Sequence, residues 1–228
     1  MDPGTVLNRG RDAFSAGRYQ EALDDFIWFH DNALQHDRAY YGVRLSFAIA
    51  NWKDLADVYP PAREALESVR SRAAATLRAG SGNRELFHDF KSINRELKEV
   101  RETYDLFREL WTSHPELAKE CRDLAVEAIV DAGDFDLASK CLPHPENYLL
   151  WLRDRLNENL ERKGVPRRIA MRRREAYVHN YCSDVRTAVR ILKGLRNNDA
   201  AKSALEWAVA LVGPKTARAM VSEHLTSK

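Results

Sequence analysis

A chain of 228 residues, 44% hydrophobic and 31% charged, has apolar material enough for one large or two small domains. Its formal charge of +2 implies no polyanion partner by itself, and 10 Gly, 8 Pro and no alternating runs speak against a strand-rich fold. No apolar segment reaches the roughly 18 residues of a membrane span. Met1–Asn8 has no basic region followed by an apolar core, so no N-terminal signal is expected. Cys121, Cys141 and Cys182 are odd in number and lack any Cys-x-x-Cys, which suits reduced thiols in a cytoplasm.

Asp2-Pro3 predicts a helix start, with Asp2 as N-cap and Pro3 in the first turn. That helix runs to about Ala16 and buries Val6, Gly10, Ala13 and Phe14. Gly17 fits the left-handed position that ends a helix. A second helix follows from about Tyr19 to Leu34, with Ala22, Leu23, Phe26, Ile27 and Ala33 inward. Beyond the connector Gln35–Asp37 the pattern predicts one long helix over 37–59. Its inward stripe is Val43, Phe47, Asn51, Leu55 and Val58, with Ala48 and Trp52 beside it. Pro60-Pro61 forces a break and opens a fourth helix through Ala62, Leu66, Val69 and Ala73. Ala79–Asn83, AGSGN, is a turn.

Over 84–113, Leu86, Phe90, Ile93, Leu97, Val100, Tyr104, Phe107 and Trp111 step by three or four residues with no breaker. One helix of about 30 residues is the simplest reading, and the near-heptad spacing leaves two packed helices open. Pro115 starts the next helix, with Leu117, Cys121, Leu124, Ala125 and Ile129 inward. Asp131–Cys141, DAGDFDLASKC, then repeats the opening pattern: Gly133 matches Gly17, Phe135 matches Tyr19, and Ala138 matches Ala22. A helix covers about Glu146–Lys163, with Tyr148, Leu149, Trp151, Leu152, Leu156 and Leu160 in its apolar set. Gly164 and Pro166 mark a boundary. An arginine-rich helix over about Pro166–Cys182 follows, then one over Val185–Leu195 capped by Ser183-Asp184. The last two helices run over about Ala200–Val212 and, after Gly213-Pro214, to about His224.

Gly10, Gly17, Tyr19, Ala22 and Phe26, echoed by Gly133, Phe135 and Ala138, resemble the tetratricopeptide repeat, a helix hairpin of about 34 residues. The proline that ends that unit is absent near Leu34, and Tyr59-Pro60-Pro61 replaces the short turn of a second unit. The resemblance implies an all-α, TPR-like α-solenoid of about ten helices, including the long ones near 37–59 and 84–113. Residues 1–163 would form the repeat region. Residues 164–228 would be a C-terminal helical region packed on the same solenoid. It further implies a protein or peptide partner held along the surface of the first helices, where Asn8, Arg11, Tyr40, Tyr41 and Arg44 fall by position. The Lys and Asn set with which chaperone-tail binders of that family clamp a carboxylate is missing. In the plainer reading Tyr40 and Tyr41 pack between helices and the arginines are solvated.

Three His-Asp dipeptides, His30-Asp31, His36-Asp37 and His88-Asp89, raise a metal-dependent all-α hydrolase as one alternative. Their spacings, 6 and 52 residues, do not match that family's arrangement, and polar faces or capping explain them as well. Cys141-x-x-His144 and His179-x-x-Cys182 have zinc-like gaps, but Cys121 and Cys141 also fit as small core residues. The basic segment 162–196 is stronger: eleven Lys or Arg, among them Arg167, Arg168, Arg172, Arg173 and Arg174, stand against Glu175 and Asp184. Arginine forks suit phosphate or carboxylate, and Tyr177 and Tyr181 are candidates for stacking on bases. A solvated face, or pairing with acids elsewhere in the fold, is the bland alternative. No Gly-rich phosphate loop, His-Glu-x-x-His or Gly-x-Ser-x-Gly occurs. The expectation is a non-catalytic adaptor without cofactor or metal, with a nucleic-acid-associated protein as the alternative.

Overall fold

The first helix starts as its sequence predicts: Thr5 N donates to Asp2 Oδ2 at 2.7 Å, and Pro3 takes the first turn. The computed structural model describes residues 1–161 and 167–226, with Glu146 and residues 167–170 as backbone. Every regular element among them is helical. In order these are α1 (Pro3–Ser15), α2 (Tyr19–His36), α3 (residues 41–56, after a 3₁₀ turn at Arg38–Tyr40) and α4 (Pro60–Arg78). Then come α5 (Arg84–Glu96), α6 (Val100–Ser113), α7 (Pro115–Asp131), α8 (Phe135–Cys141) and α9 (Pro145–Glu161). The last three are α10 (Arg167–Gly194), α11 (Asn198–Ala210) and α12 (Lys215–Thr226). No described helix is long and apolar enough to cross a membrane.

One turn recurs. At the end of α1, Gly17 is left-handed (φ 74°), Arg18 N donates to Ala13 O at 2.9 Å, and Gly17 N to Phe14 O at 3.0 Å. The next helix begins two residues after the glycine, and Ala22, five after it, is fully buried. Gly133 repeats this (φ 79°), with Asp134 N to Ile129 O at 3.2 Å and a buried Ala138. Lys98 and Arg196 do so without glycine, each at φ 60°, and the buried residues five further on are Thr103 and Ala201.

The left-handed Lys98 explains why 84–113 is two helices and not one. Glu99 N donates to Asn94 O at 2.8 Å and Lys98 N to Arg95 O at 3.1 Å, which closes α5 in the same motif. Across the turn, buried Asn94 donates to Thr103 Oγ1 at 3.0 Å, so a hydrogen bond stands where the first hairpin has Ala13 and Ala22. Neither proline nor glycine marks the break. Conversely, α10 runs unbroken through Ser183-Asp184. Cys182, Val185 and Ala188 keep one buried face continuous there, and tertiary packing overrides the capping signal.

The helix expected over 37–59 is shorter and irregular. Residues Arg44–Ala48 form a π-turn, which inserts an extra residue and rotates the helix N-terminal to it. The buried stripe is Leu45, Ala48, Ile49, Trp52, Leu55 and Ala56, and Phe47 and Val58 are exposed rather than inward. Trp52 Nε1 donates to Ala62 O at 2.9 Å, which ties α3 to the proline-started α4.

The chain divides into two compact units, Met1–Ala128 and Ile129–Lys228. The boundary expected at 163–164 falls inside the second, among residues outside those described. In the first unit α1 meets α2 where a methyl group on Gly10 would lie 2.9 Å from the Phe26 ring. Phe26, Phe29, Ile49, Trp52 and Leu66 centre its core. In the second unit Leu149, Leu152 and Leu156 of α9 pack with Val178, Cys182 and Val185 of α10 and with alanines of α11.

Candidate functional site

In the first unit the π-turn of α3 aims Arg44 inward. Its Nε donates to His30 O at 2.6 Å, its Nη2 to Asp89 Oδ2 at 2.8 Å, and its Nη1 to the other Asp89 oxygen. Arg44 and Asp89 are both buried. Desolvating two charges is offset only by such bidentate geometry with the remaining donors filled. Arg44 thus leaves the partner-facing set in which its sequence position put it. Tyr40 is half-buried, edge-on to Phe29 at 5.6 Å. The Tyr41 hydroxyl lies 3.0 Å from His88 Nδ1. Burial, then Lys91, holds the His88 imidazole below its ordinary pKa. Burial raises Tyr41 itself. Asn8 and Arg11 stay exposed.

These contacts join successive first helices of the hairpins. Arg38 pairs with Glu85, and Arg95 Nη2 donates to Leu45 O at 3.1 Å, both between the α3 region and α5. Arg84 Nη2 meets Asp123 at 2.7 Å and Lys91 lies 3.4 Å from Glu127, both between α5 and α7. The second helices are tied likewise: Arg78 of α4 reaches Glu109 of α6 at 2.6 Å. Beside the Arg44–Asp89 pair, Phe47 points outward and is 72% exposed. The sequence reading missed it because Val43-Phe47-Asn51 imitates an inward stripe; the polar Asn51 within that stripe was the available signal.

The His-Asp dipeptides make local and inter-helix contacts. His30 is buried, its Nδ1 3.0 Å from Asp31, and that bond holds the Asp31 carboxyl below its ordinary pKa. His30 Nε2 has no partner among the described residues and its ring stands edge-on to Trp52 at 6.0 Å. Asp37 caps the 3₁₀ turn through Ala39 N at 2.8 Å, and the Asp89 oxygens are taken by Arg44. Among the described residues no three His, Cys, Asp or Glu side chains are grouped to hold a metal. Cys141 and Cys182 are buried, and burial pushes the Cys182 thiol up to about 11, away from a thiolate.

In the second unit the basic segment splits. Arg186 donates to His224 O, and Arg190 meets Asp131 at 2.6 Å, so both are used internally. Arg172, Arg173 and Arg174 are exposed, whereas the side chains of Arg167 and Arg168 lie outside the described residues. Tyr181 does not serve for stacking: it is buried, and its hydroxyl donates to Ala208 O at 2.8 Å. Trp151, expected within the apolar set of its helix, is instead 52% exposed. Its ring stacks on Tyr148, centroids 5.8 Å apart and planes 19° from parallel, and the Arg155 guanidinium lies 5.3 Å from its centroid.

Comparison with protein-family models, with curated proteins and with solved structures gives no match to this chain.

Proposed function

We infer that the chain is a non-catalytic helical adaptor whose first unit is a TPR-like stack of hairpins. The observation that carries this reading is the recurrence of one hairpin geometry: a left-handed residue, a helix start two positions on and a buried small residue five positions on. Such a hairpin cannot bury both faces alone and favours stacking of like units. The polar ties α3–α5–α7 and α4–α6 are what two layers of like helices would make. The partner is a polypeptide segment lying on the first-helix side, with Phe47 as apolar anchor and Asn8 and Arg11 as polar contacts.

The test is affinity capture from the native host with wild type and with Phe47→Glu and Arg11→Glu, read by quantitative mass spectrometry. All three positions named for the partner are exposed or chosen at the surface, so circular dichroism should be unchanged. Proteins captured by wild type and depleted by either variant support the reading. Identical capture by all three, or no enrichment by wild type, removes it.

A further inference from the structure

The second unit carries an aromatic stripe that its core uses only in part: Tyr148 packs against the core, whereas Trp151 stays outside it. Tyr148, Trp151 and Arg155 recur three and four residues apart, along one side of α9. Leu149, Leu152 and Leu156, on the neighbouring side, fill the core. Trp151, stacked on Tyr148 and flanked by Arg155, keeps 52% of its surface open, and a flat group reaches its ring face by displacing the exposed Arg155 guanidinium.

Charge of the matching kind is exposed on α10, the helix that shares this core. Arg172, Arg173 and Arg174 are exposed, and none has an ion-pair partner among the described residues. Helices α9 and α10 share a core, and Glu161 and Arg167 are only six positions apart, which makes them antiparallel neighbours. Arg155 is six residues before the end of α9 and Arg173 six after the start of α10. Each is therefore about 9 Å along its own helix from that helix's end.

We propose that this surface binds single-stranded nucleic acid, with bases stacking on Trp151 and Tyr148 and phosphates held by Arg172–Arg174. The aromatic stack decides the form of the ligand. Bases inside a duplex have no free faces, whereas a single strand offers alternating rings and phosphates. An acidic peptide would engage the arginines and leave the stack unused. The proposal is independent of the adaptor surface on the first unit.

The experiment uses the full chain and fluorescein-labelled oligouridylate and oligothymidylate of roughly 20 nucleotides, read by anisotropy between about 50 and 200 mM salt. Saturable binding is expected, weakened about tenfold by Trp151→Ala and largely kept by Trp151→Phe, which retains a stacking ring. Arg172→Gln/Arg173→Gln/Arg174→Gln should lower the salt slope by about 2, at roughly 0.7 per phosphate contact. Circular dichroism checks that the variants fold. The idea is overturned by any of three results: no binding at the lowest salt, a folded Trp151→Ala or triple-glutamine variant that binds like wild type, or polyglutamate displacing the strand as well as unlabelled oligonucleotide does.

Discussion

Replacing Arg44 by methionine removes two bonds to Asp89 and one to the His30 carbonyl, and leaves a buried carboxylate without counter-charge. The expected loss is about 3–5 kcal/mol, whereas Arg44→Met/Asp89→Leu together should recover most of it. Urea unfolding of the single and double variants measures both, and a double variant no better than the single contradicts the account. His88 gives a pH dependence with a fixed sign. Its imidazole is harder to protonate folded than unfolded, because burial and Lys91 oppose the charge. The unfolded chain thus takes up the proton first, and stability falls as pH drops through about 6.5 towards the lower folded value. His88→Gln should flatten the difference in urea midpoint between about pH 7.5 and 5.5 by this residue's share. At this scale the capping Asp2 and the small Ala22 were legible, since each acts within its own hairpin. Arg44 was not: an arginine reads as surface, and its partner lies 45 positions further along the chain.

Among the elements, the hairpin turns carry a testable cost. Lys98 and Arg196 hold a left-handed conformation that glycine takes freely. Lys98→Gly and Arg196→Gly should each raise stability by about 0.5–1 kcal/mol, and Gly17→Ala should lower it by about 1 kcal/mol. Thermal melts decide, and a destabilised Lys98→Gly would place the constraint elsewhere. The same turns show how far pattern reading reaches. Glycine announced Gly17 and Gly133. The turn at Lys98 stayed hidden, because the apolar step of three or four residues continues across it and Asn94 with Thr103 replaces small apolar residues. The opposite error came at Ser183-Asp184, where a capping signal sits inside a continuous buried face.

For the molecule as a whole, helix content was legible from composition and from the absence of alternating runs. The division after Ala128 was not, since α7 has no breaker there. Charge is distributed unevenly: eleven of 36 Lys and Arg fall within 162–196, although the formal charge of the chain is only +2. Retention on a heparin column should therefore exceed that of an evenly charged protein of the same net charge, and Arg172→Gln/Arg173→Gln/Arg174→Gln should shift elution to lower salt. Elution unchanged by the triple variant would assign the retention to other residues.

A π-turn is an α-helix holding one residue too many. Deleting Ser46 would let α3 run as plain α-helix and, because the wide turn absorbs that residue, would leave Arg44 and Trp52 on the faces they hold now. The same deletion in the α-helical part, at Asn51, has no such slack: everything before it would swing by about 100° relative to Leu55, and Arg44 would leave Asp89. Where along α3 a single codon is lost thus decides whether the side of this helix that faces solvent changes.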